Sequence, residues 1–390
     1  MQKGDIVTLS VTAVNLEGYG IAKLNSGDAD TEQMYTIYIP YSAPHDSITA
    51  EIQSCEKNRA TASIISILQP SHMRNRETLC NYYGKCGGCQ LGHIMPQYQR
   101  AIKQDWMIKL FQNIDTGACP AHANGFEIKS SPEYGYRFRA QFFKNKHYEP
   151  CFRARSSAEA IPVTECPVLA PSLNTWLKEA TSVIKNNAAI PERFTVTASE
   201  DQVFIEGVNR EAYADILHKH IRYSPECFFQ SNHILLPELI EDVCRDVSGK
   251  RALDIYAGVG LFSIFLQQQF TKIDCVESSI ASTQWISQNC AHAGVYALSA
   301  ESWIKTAAAQ NDYDYVVVDP PRNGLSKPIR TWLKQKRIPL LGYVSCNPET
   351  LARDASDLCD HGYTLTELKF YDFYPHTTEM EAYARFISRS

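Results

Sequence analysis

From about Gly4 to Pro70 the chain is a succession of short stretches in which apolar and polar residues alternate or β-branched residues cluster: Ile6-Val7-Thr8-Leu9, then 35–40, 47–52 and 60–68. Gly18, Gly20 and Gly27 punctuate them. Alternation broken by turn residues predicts half-buried strands, here a small closed barrel of about five strands, of the OB type. Farther on, Tyr98, Ile102, Trp106 and Leu110 recur at helical spacing and predict a helix over 98–113. Residues 126–220 mix strands with one helix from Leu173 to Lys185, and from Ser224 onward apolar strands (252–255, 272–277, 313–319 and 339–345) alternate with helical segments. That rhythm predicts a parallel sheet with helices on both faces.

Two of these strands end in polar chemistry immediately before a break: 315–318 runs into Asp319-Pro320-Pro321-Arg322, and 343–345 into Cys346-Asn347-Pro348. In a doubly wound sheet, ligands bind outside the carboxyl ends of the strands. A cysteine there, with a proline suited to the first helical turn, sits where a helix dipole favours thiolate, so Cys346 is the leading nucleophile. At the first strand of this region, Asp254-Ile255-Tyr256-Ala257-Gly258-Val259-Gly260 joins strand to helix, and Glu277 ends the next strand 23 residues after Asp254. Glycines let backbone approach a ligand, and an acid on the second strand accepts from ribose hydroxyls, which points to an adenosine cofactor. The Gly-Val-Gly loop is shorter than the dinucleotide fingerprint and resembles the first motif of S-adenosylmethionine-dependent methyltransferases, making NAD the weaker choice.

At 390 residues the chain suits two or three domains, and 44% hydrophobic with 21% charged residues is a folded, water-compatible composition. No signal-like N-terminus or membrane-length apolar run is present, so a cytoplasmic protein is expected. The net charge of −5 gives no hint of nucleic acid, so any RNA-binding surface must be local. Thirteen cysteines fit reduced thiols, a metal site and catalysis better than disulfides. Cys80, Cys86 and Cys89 place three thiols within ten residues, with Gly87-Gly88 permitting a sharp turn. A fourth ligand is needed; spacing nominates Cys119, Cys151 or Cys166 equally, and four thiolates suit zinc or an iron-sulfur cluster.

The N-terminal barrel resembles the TRAM domain of RNA-modifying enzymes at 18–22 and at Ile39-Pro40. Taken with the cysteine pattern and Cys166, 228–232 (Phe-Phe-Gln-Ser-Asn), Asp254-x3-Gly258-x-Gly260, 319–322, 345–348 and 375–381, the chain resembles the RNA uracil-5-methyltransferase family over nearly its whole length, specifically members with a TRAM domain and a [4Fe-4S] cluster. The resemblance implies a multidomain α/β protein: a TRAM-like OB barrel over 1–70, an α+β central iron-sulfur and RNA-binding domain over 75–220, and a Rossmann-like S-adenosylmethionine-dependent methyltransferase domain over 221–390. It further implies cluster ligation by Cys80, Cys86, Cys89 and Cys166, cofactor contacts at Gln230, Tyr256, Glu277 and Asp319, nucleophile Cys346 and base Glu381. The expected substrate is 23S rRNA, with transfer RNA second, acting as a monomer on a flipped-out uridine. Carbon 5 of uracil is a poor nucleophile; thiolate addition at carbon 6 activates it, and a base must later remove the carbon-5 proton.

Three positions depart from the family pattern: Glu379 replaces the usual histidine two before the base, Ala257 a common cysteine, and Cys151 a common glycine. RNA contacts are expected from 134–139, Lys144, Lys146, His147, Tyr148, Arg153 and Arg155, cations holding phosphate and rings stacking on bases. Two other functions compete. Asp319-Pro320-Pro321 resembles the start of the tetrad used in amino-group methylation, which needs no cysteine, and a non-catalytic RNA-binding or assembly factor could retain the same scaffold.

Overall fold

The computed structural model describes residues 1–25, 34–75, 77, 79–114 and 128–389; Gly27 and Cys119 lie outside them. The chain divides into two compact units, one comprising 1–106, 152–161 and 374–378, the other 107–151, 162–373 and 379–390. No helix among the described residues is long and apolar enough to cross a membrane.

The first unit holds β1 (Ile6–Val14), β2 (Tyr19–Asn25), β3 (Met34–Pro40), β4 (Ser47–Glu56) and β5 (Arg59–Gln69), closed into the expected five-stranded barrel in the order β1-β2-β3-β5-β4. Period-2 alternation fills the interior: Leu9, Val11, Ile37, Ile39, Ile48, Ala50 and Ile52 are buried while their strand neighbours face outward. One charge is buried beneath the barrel. The carboxylate of Asp46 accepts from the backbone N–H of Ala43 and Ser71 and from the Arg74 guanidinium, whose Nη2 lies 2.8 Å away. The helix predicted over 98–113 forms as α1 (Pro96–Phe111), on which Trp106 Nε1 donates to the Val14 carbonyl at 2.9 Å.

The second unit begins with β6 (Ile128–Ser130) and β7 (Arg139–Lys144); β8 (Pro150–Arg153) and β9 (Ala160–Pro162) carry the chain out of it and back. The single helix expected from Leu173 to Lys185 is two, α2 (Pro171–Leu177) and α3 (Ala180–Asn186), because Glu179 takes a non-helical conformation with φ −118° and ψ 1°. Strands β10 (Arg193–Ala198) and β11 (Val203–Ile205) pair antiparallel, β10 also pairs with β7, and β12 (Ala212–Ile216) with β13 (Lys219–Tyr223) forms a separate hairpin.

Beyond α4 (Leu236–Cys244) come β14 (Gly249–Ile255), α5 (Ser263–Leu266), β15 (Phe270–Glu277), α6 (Ile280–Asn289), β16 (Gly294–Ala297), α7 (Ala300–Trp303), β17 (Tyr315–Val318), α8 (Lys327–Lys336), β18 (Leu340–Ser345), α9 (Pro348–Cys359), β19 (Tyr363–Asp372) and β20 (Glu381–Ser388). They build an eight-stranded sheet in the order β16-β15-β14-β17-β18-β20-β19-β6. Strands β14 to β18 pair in parallel, and β17 at the centre is buried along its whole length, which is why 315–318 reads as an unbroken apolar run. Strand order reverses between β14 and β17, the switch point at which such sheets open a ligand crevice. The end of the sheet departs from the expected parallel rhythm. β20 inserts antiparallel between β18 and β19, so its first residue lies at the same edge as the last residue of β18.

Candidate active site

That edge holds a cavity of about 860 Å³, lined among others by Gln230, Tyr256, Glu277, Asp319, Cys346 and Glu381. All six residues expected to carry the chemistry thus line one space, although they are drawn from across 152 residues of chain. Tyr256 follows β14, Glu277 ends β15, Asp319 follows β17 and Cys346 follows β18. Glu381 joins them only because β20 runs the other way: Ser345 pairs with Ala382, placing Glu381 beside Cys346.

The loop after β14 is held open by backbone conformations that side chains resist. Gly258 and Gly260 have φ of 55° and 89°, and Tyr256, at φ 67°, adopts the same left-handed region despite its ring. The Glu277 carboxylate braces this loop: Oε2 accepts from Gly258 N at 2.9 Å and Oε1 from Ser279 N at 2.7 Å. Any ribose hydroxyl would share these oxygens' remaining lone pairs. Gln230 is buried, and its Oε1 has no hydrogen-bond partner among the described residues, an acceptor left for a ligand. Its position is fixed by Asn232, whose Nδ2 donates to the Phe373 carbonyl while its Oδ1 accepts from the N–H groups of Ile234 and Leu235.

Around the nucleophile, Asn347 caps α9 by accepting from Glu349 N, and Pro348 occupies the first turn. The helix end expected to favour a thiolate is therefore present, but it does not win. Burial, with Glu381 and Asp319 adding negative charge, pushes the Cys346 thiol up to about 12. Glu381 is wholly buried, its Oε2 without a partner among the described residues, and burial with Asp319 and Glu379 raises it well above the ordinary carboxylate range. Asp319 is raised by burial and by Asp254 to about 7, and Asp254, which accepts from Ser263 Oγ at 2.7 Å, is raised by burial to about 7 as well. Two acids raised by burial, Asp319 and Glu381, thus wall the cavity, and a cation entering it would draw both toward the carboxylate form.

Cys80, Cys86, Cys89 and Cys166 are all half-buried, and Gly88 N donates toward Cys86 Sγ at 3.4 Å. Among the described residues, no three cysteine, histidine or acidic side chains gather closely enough to hold a metal ion. The expected RNA segment is mostly occupied internally. Tyr136 lies in the core, Phe138 stacks on His233 at 4.7 Å, Lys144 Nζ donates to the Ile190 carbonyl, and Arg155 lies against the rings of Tyr19 and Tyr41. Rings and cations alike were recruited to packing; only Lys146, His147 and Tyr148, at the β7–β8 turn, stand exposed as a group.

The family described as tRNA (Uracil-5-)-methyltransferase matches residues 198–389, the stretch that contains the whole cavity. The 23S rRNA (uracil(1939)-C(5))-methyltransferase RlmD of Shewanella sediminis is 26% identical, over 97% of this chain and 95% of its own length. The chain belongs to the RNA uracil-5-methyltransferase family. Another relative, an RNA methyltransferase of Treponema denticola described as uncharacterized, is 28% identical over 89% of this chain and 92% of its own. The crystal structure of the Pyrococcus abyssi tRNA (uracil-54, C5)-methyltransferase in complex with S-adenosyl-L-homocysteine shares the fold, with a TM-score of 0.74, 21% identity, and coverage of 98% of this chain and 100% of that one.

As a uracil-5-methyltransferase the chain carries one pairing that motif reading missed. Glu379, in the position usually held by histidine, lies 2.8 Å from the Arg322 guanidinium. Both residues belong to motifs legible in the sequence, but they stand 57 positions apart, and no spacing rule joins them.

Proposed function

We propose that this enzyme methylates carbon 5 of a uridine in 23S rRNA through a covalent adduct with Cys346, and that Glu381 removes the carbon-5 proton. The reaction class, S-adenosylmethionine-dependent methylation of RNA uracil, follows from family membership; the RNA and the residue roles are our reading. The observation that carries it is the antiparallel register of β18 and β20, which puts a thiol and a buried carboxyl side by side in a cavity walled by a glycine loop.

The residues fit the methyl donor: the strained loop at 256–260, the braced Glu277, the open acceptor of Gln230 and the acid Asp319 face one space. When bound, S-adenosylmethionine supplies an electrophilic methyl group and a positive charge. Asp319, Cys346 and Glu381 all shift toward their ionised forms when positive charge enters. Cys346, which is only half-buried, gives its proton to solvent, and the thiolate adds through Sγ to uracil carbon 6, which places electron density on carbon 5. After carbon 5 has gained the methyl group, the Glu381 carboxylate takes the remaining carbon-5 proton, the bond from sulfur to carbon 6 breaks, and the thiolate is regained. The uridine must leave its stack to reach a half-buried thiol inside the cavity.

A [4Fe-4S] cluster on Cys80, Cys86, Cys89 and Cys166 forms part of the same proposal, supported by the thiol spacing and by the N–H aimed at Cys86 sulfur. None of the steps above requires an electron, so its role is structural or RNA-orienting. The barrel is read as a TRAM-type RNA-binding domain on its strand order and family.

Mapping new 5-methyluridine in total RNA from cells lacking the protein, after incubation with enzyme and S-adenosylmethionine, tests the substrate. A mark in 23S rRNA is expected, and a mark confined to transfer RNA would replace that half of the proposal. With 5-fluorouridine in the target RNA, fluorine cannot leave as a proton, and an adduct on Cys346 should persist. Full turnover by Cys346→Ala would sink the covalent route.

A further inference from the structure

Arg322 is fixed at its backbone and exposed at its tip. Its carbonyl accepts from Asn347 Nδ2 at 3.0 Å and from Thr350 Oγ1 at 3.2 Å, tying it to the turn that carries Cys346. Its guanidinium, with 69% of the side chain exposed, lies at the cavity lining with Nη2 2.8 Å from Glu379 Oε2. Glu379 stands two residues before Glu381, so a single arginine touches both the nucleophile's turn through its backbone and the base's segment through its side chain.

An ion pair this exposed contributes little and is exchangeable. A guanidinium is also the side chain best matched to a phosphate, through two parallel N–H donors. Any RNA strand that delivers a uridine into this cavity must bring its phosphodiester backbone past the rim. We propose that Arg322 is the phosphate contact at the cavity mouth, and that Glu379 occupies its guanidinium as an internal competitor until RNA displaces it. This rests on the RNA uracil-methylation reading and specifies how that site holds its strand. The replacement of histidine by glutamate at 379 then has a consequence particular to this chain: RNA must win Arg322 from a carboxylate.

The test is the salt dependence of binding, measured with the full-length protein saturated with S-adenosylhomocysteine and an unmodified 23S rRNA transcript. Removing a single cation that neutralises phosphate lowers the magnitude of the slope of log K against log salt by about 0.7–0.9. Arg322→Gln should weaken binding and reduce the slope by that amount, and Arg322→Lys should restore it. Glu379→Gln should tighten binding by up to about fivefold, the limit set by an exposed ion pair. That gain should vanish in the Arg322→Gln/Glu379→Gln double variant, and a gain that survives there would overturn the competitor role of Glu379. Unchanged Kd and slope in Arg322→Gln, with a fall confined to kcat, would overturn the proposal and leave the pair as a tether for Glu381. Absence of salt-dependent binding by the wild-type protein, together with no methylation of the transcript, would instead strike the 23S rRNA reading itself.

Discussion

S-Adenosylmethionine and S-adenosylhomocysteine differ by a methyl group and one positive charge, and the buried acids of the cavity turn that charge into a pH dependence. Asp319 ordinarily titrates near 3.8 and is raised by burial and by Asp254 to about 7, so below pH 7 the ligand-free enzyme holds it largely protonated. A cation seated within about 4–6 Å of a carboxylate lowers its titration by about 1–3 pH units. Between that lowered value and 7, binding the sulfonium releases a proton, and its affinity rises by up to about tenfold per pH unit before levelling off above 7. The neutral thioether produces no such release. Isothermal titration calorimetry of both ligands from pH 5.5 to 8 should therefore show the preference for S-adenosylmethionine growing by roughly 7- to 30-fold. Repeating the titration in buffers of different ionisation enthalpy should detect the released proton directly. Asp319→Asn should flatten most of the trend, and Glu381→Gln reads any share taken by the second acid. Parallel pH profiles for the two ligands, within twofold, would show that the acids of the cavity do not face the sulfonium.

Glu381→Gln should still add Cys346 to uracil and accept the methyl group but accumulate the methylated RNA on the protein, visible as a gel-shifted adduct, whereas Glu379→Gln should turn over; the reverse pattern would transfer the base to Glu379. Protein prepared without oxygen should be brown and bleach in air, and a colourless protein with stoichiometric zinc would reject the iron-sulfur proposal. Asp46→Ala leaves the Arg74 guanidinium with the Tyr41 carbonyl but no counter-charge, and strands two backbone N–H groups in a nearly dry site. A loss of about 3–5 kcal/mol is expected on urea unfolding of the first unit, and a loss under about 1 kcal/mol would show that water repairs the site.

Patterns with a short physical period were legible in the chain itself. Alternation at 6–9, 35–40 and 47–52 gave the barrel strands, because a side chain in a strand can only face in or out. The buried parallel strand at 315–318 declared itself by continuous apolar content, those at 252–255 and 272–277 by their alternation with helical segments, and the glycine loop by its need for left-handed backbone at Gly258 and Gly260. Cys346 and Asp319 were readable as site residues because each ends such a strand, where sheet geometry puts ligands. Basic and aromatic residues at 134–155 were less legible for the opposite reason. Type alone does not say whether an arginine meets solvent or, like Arg155, lies between two tyrosine rings.

What the sequence by itself determined, then, was which residues could do chemistry and which strand ends would present most of them, since both depend on local residue type and period. Tertiary structure decided the rest. The direction of β20 brought Glu381 to Cys346, burial lifted that cysteine against the pull of its helix, and folding joined Arg322 to Glu379 across 57 positions. Proximity across a sheet, and the loss of water that shifts a proton, are properties of an assembled interior; no local stretch of chain carries them.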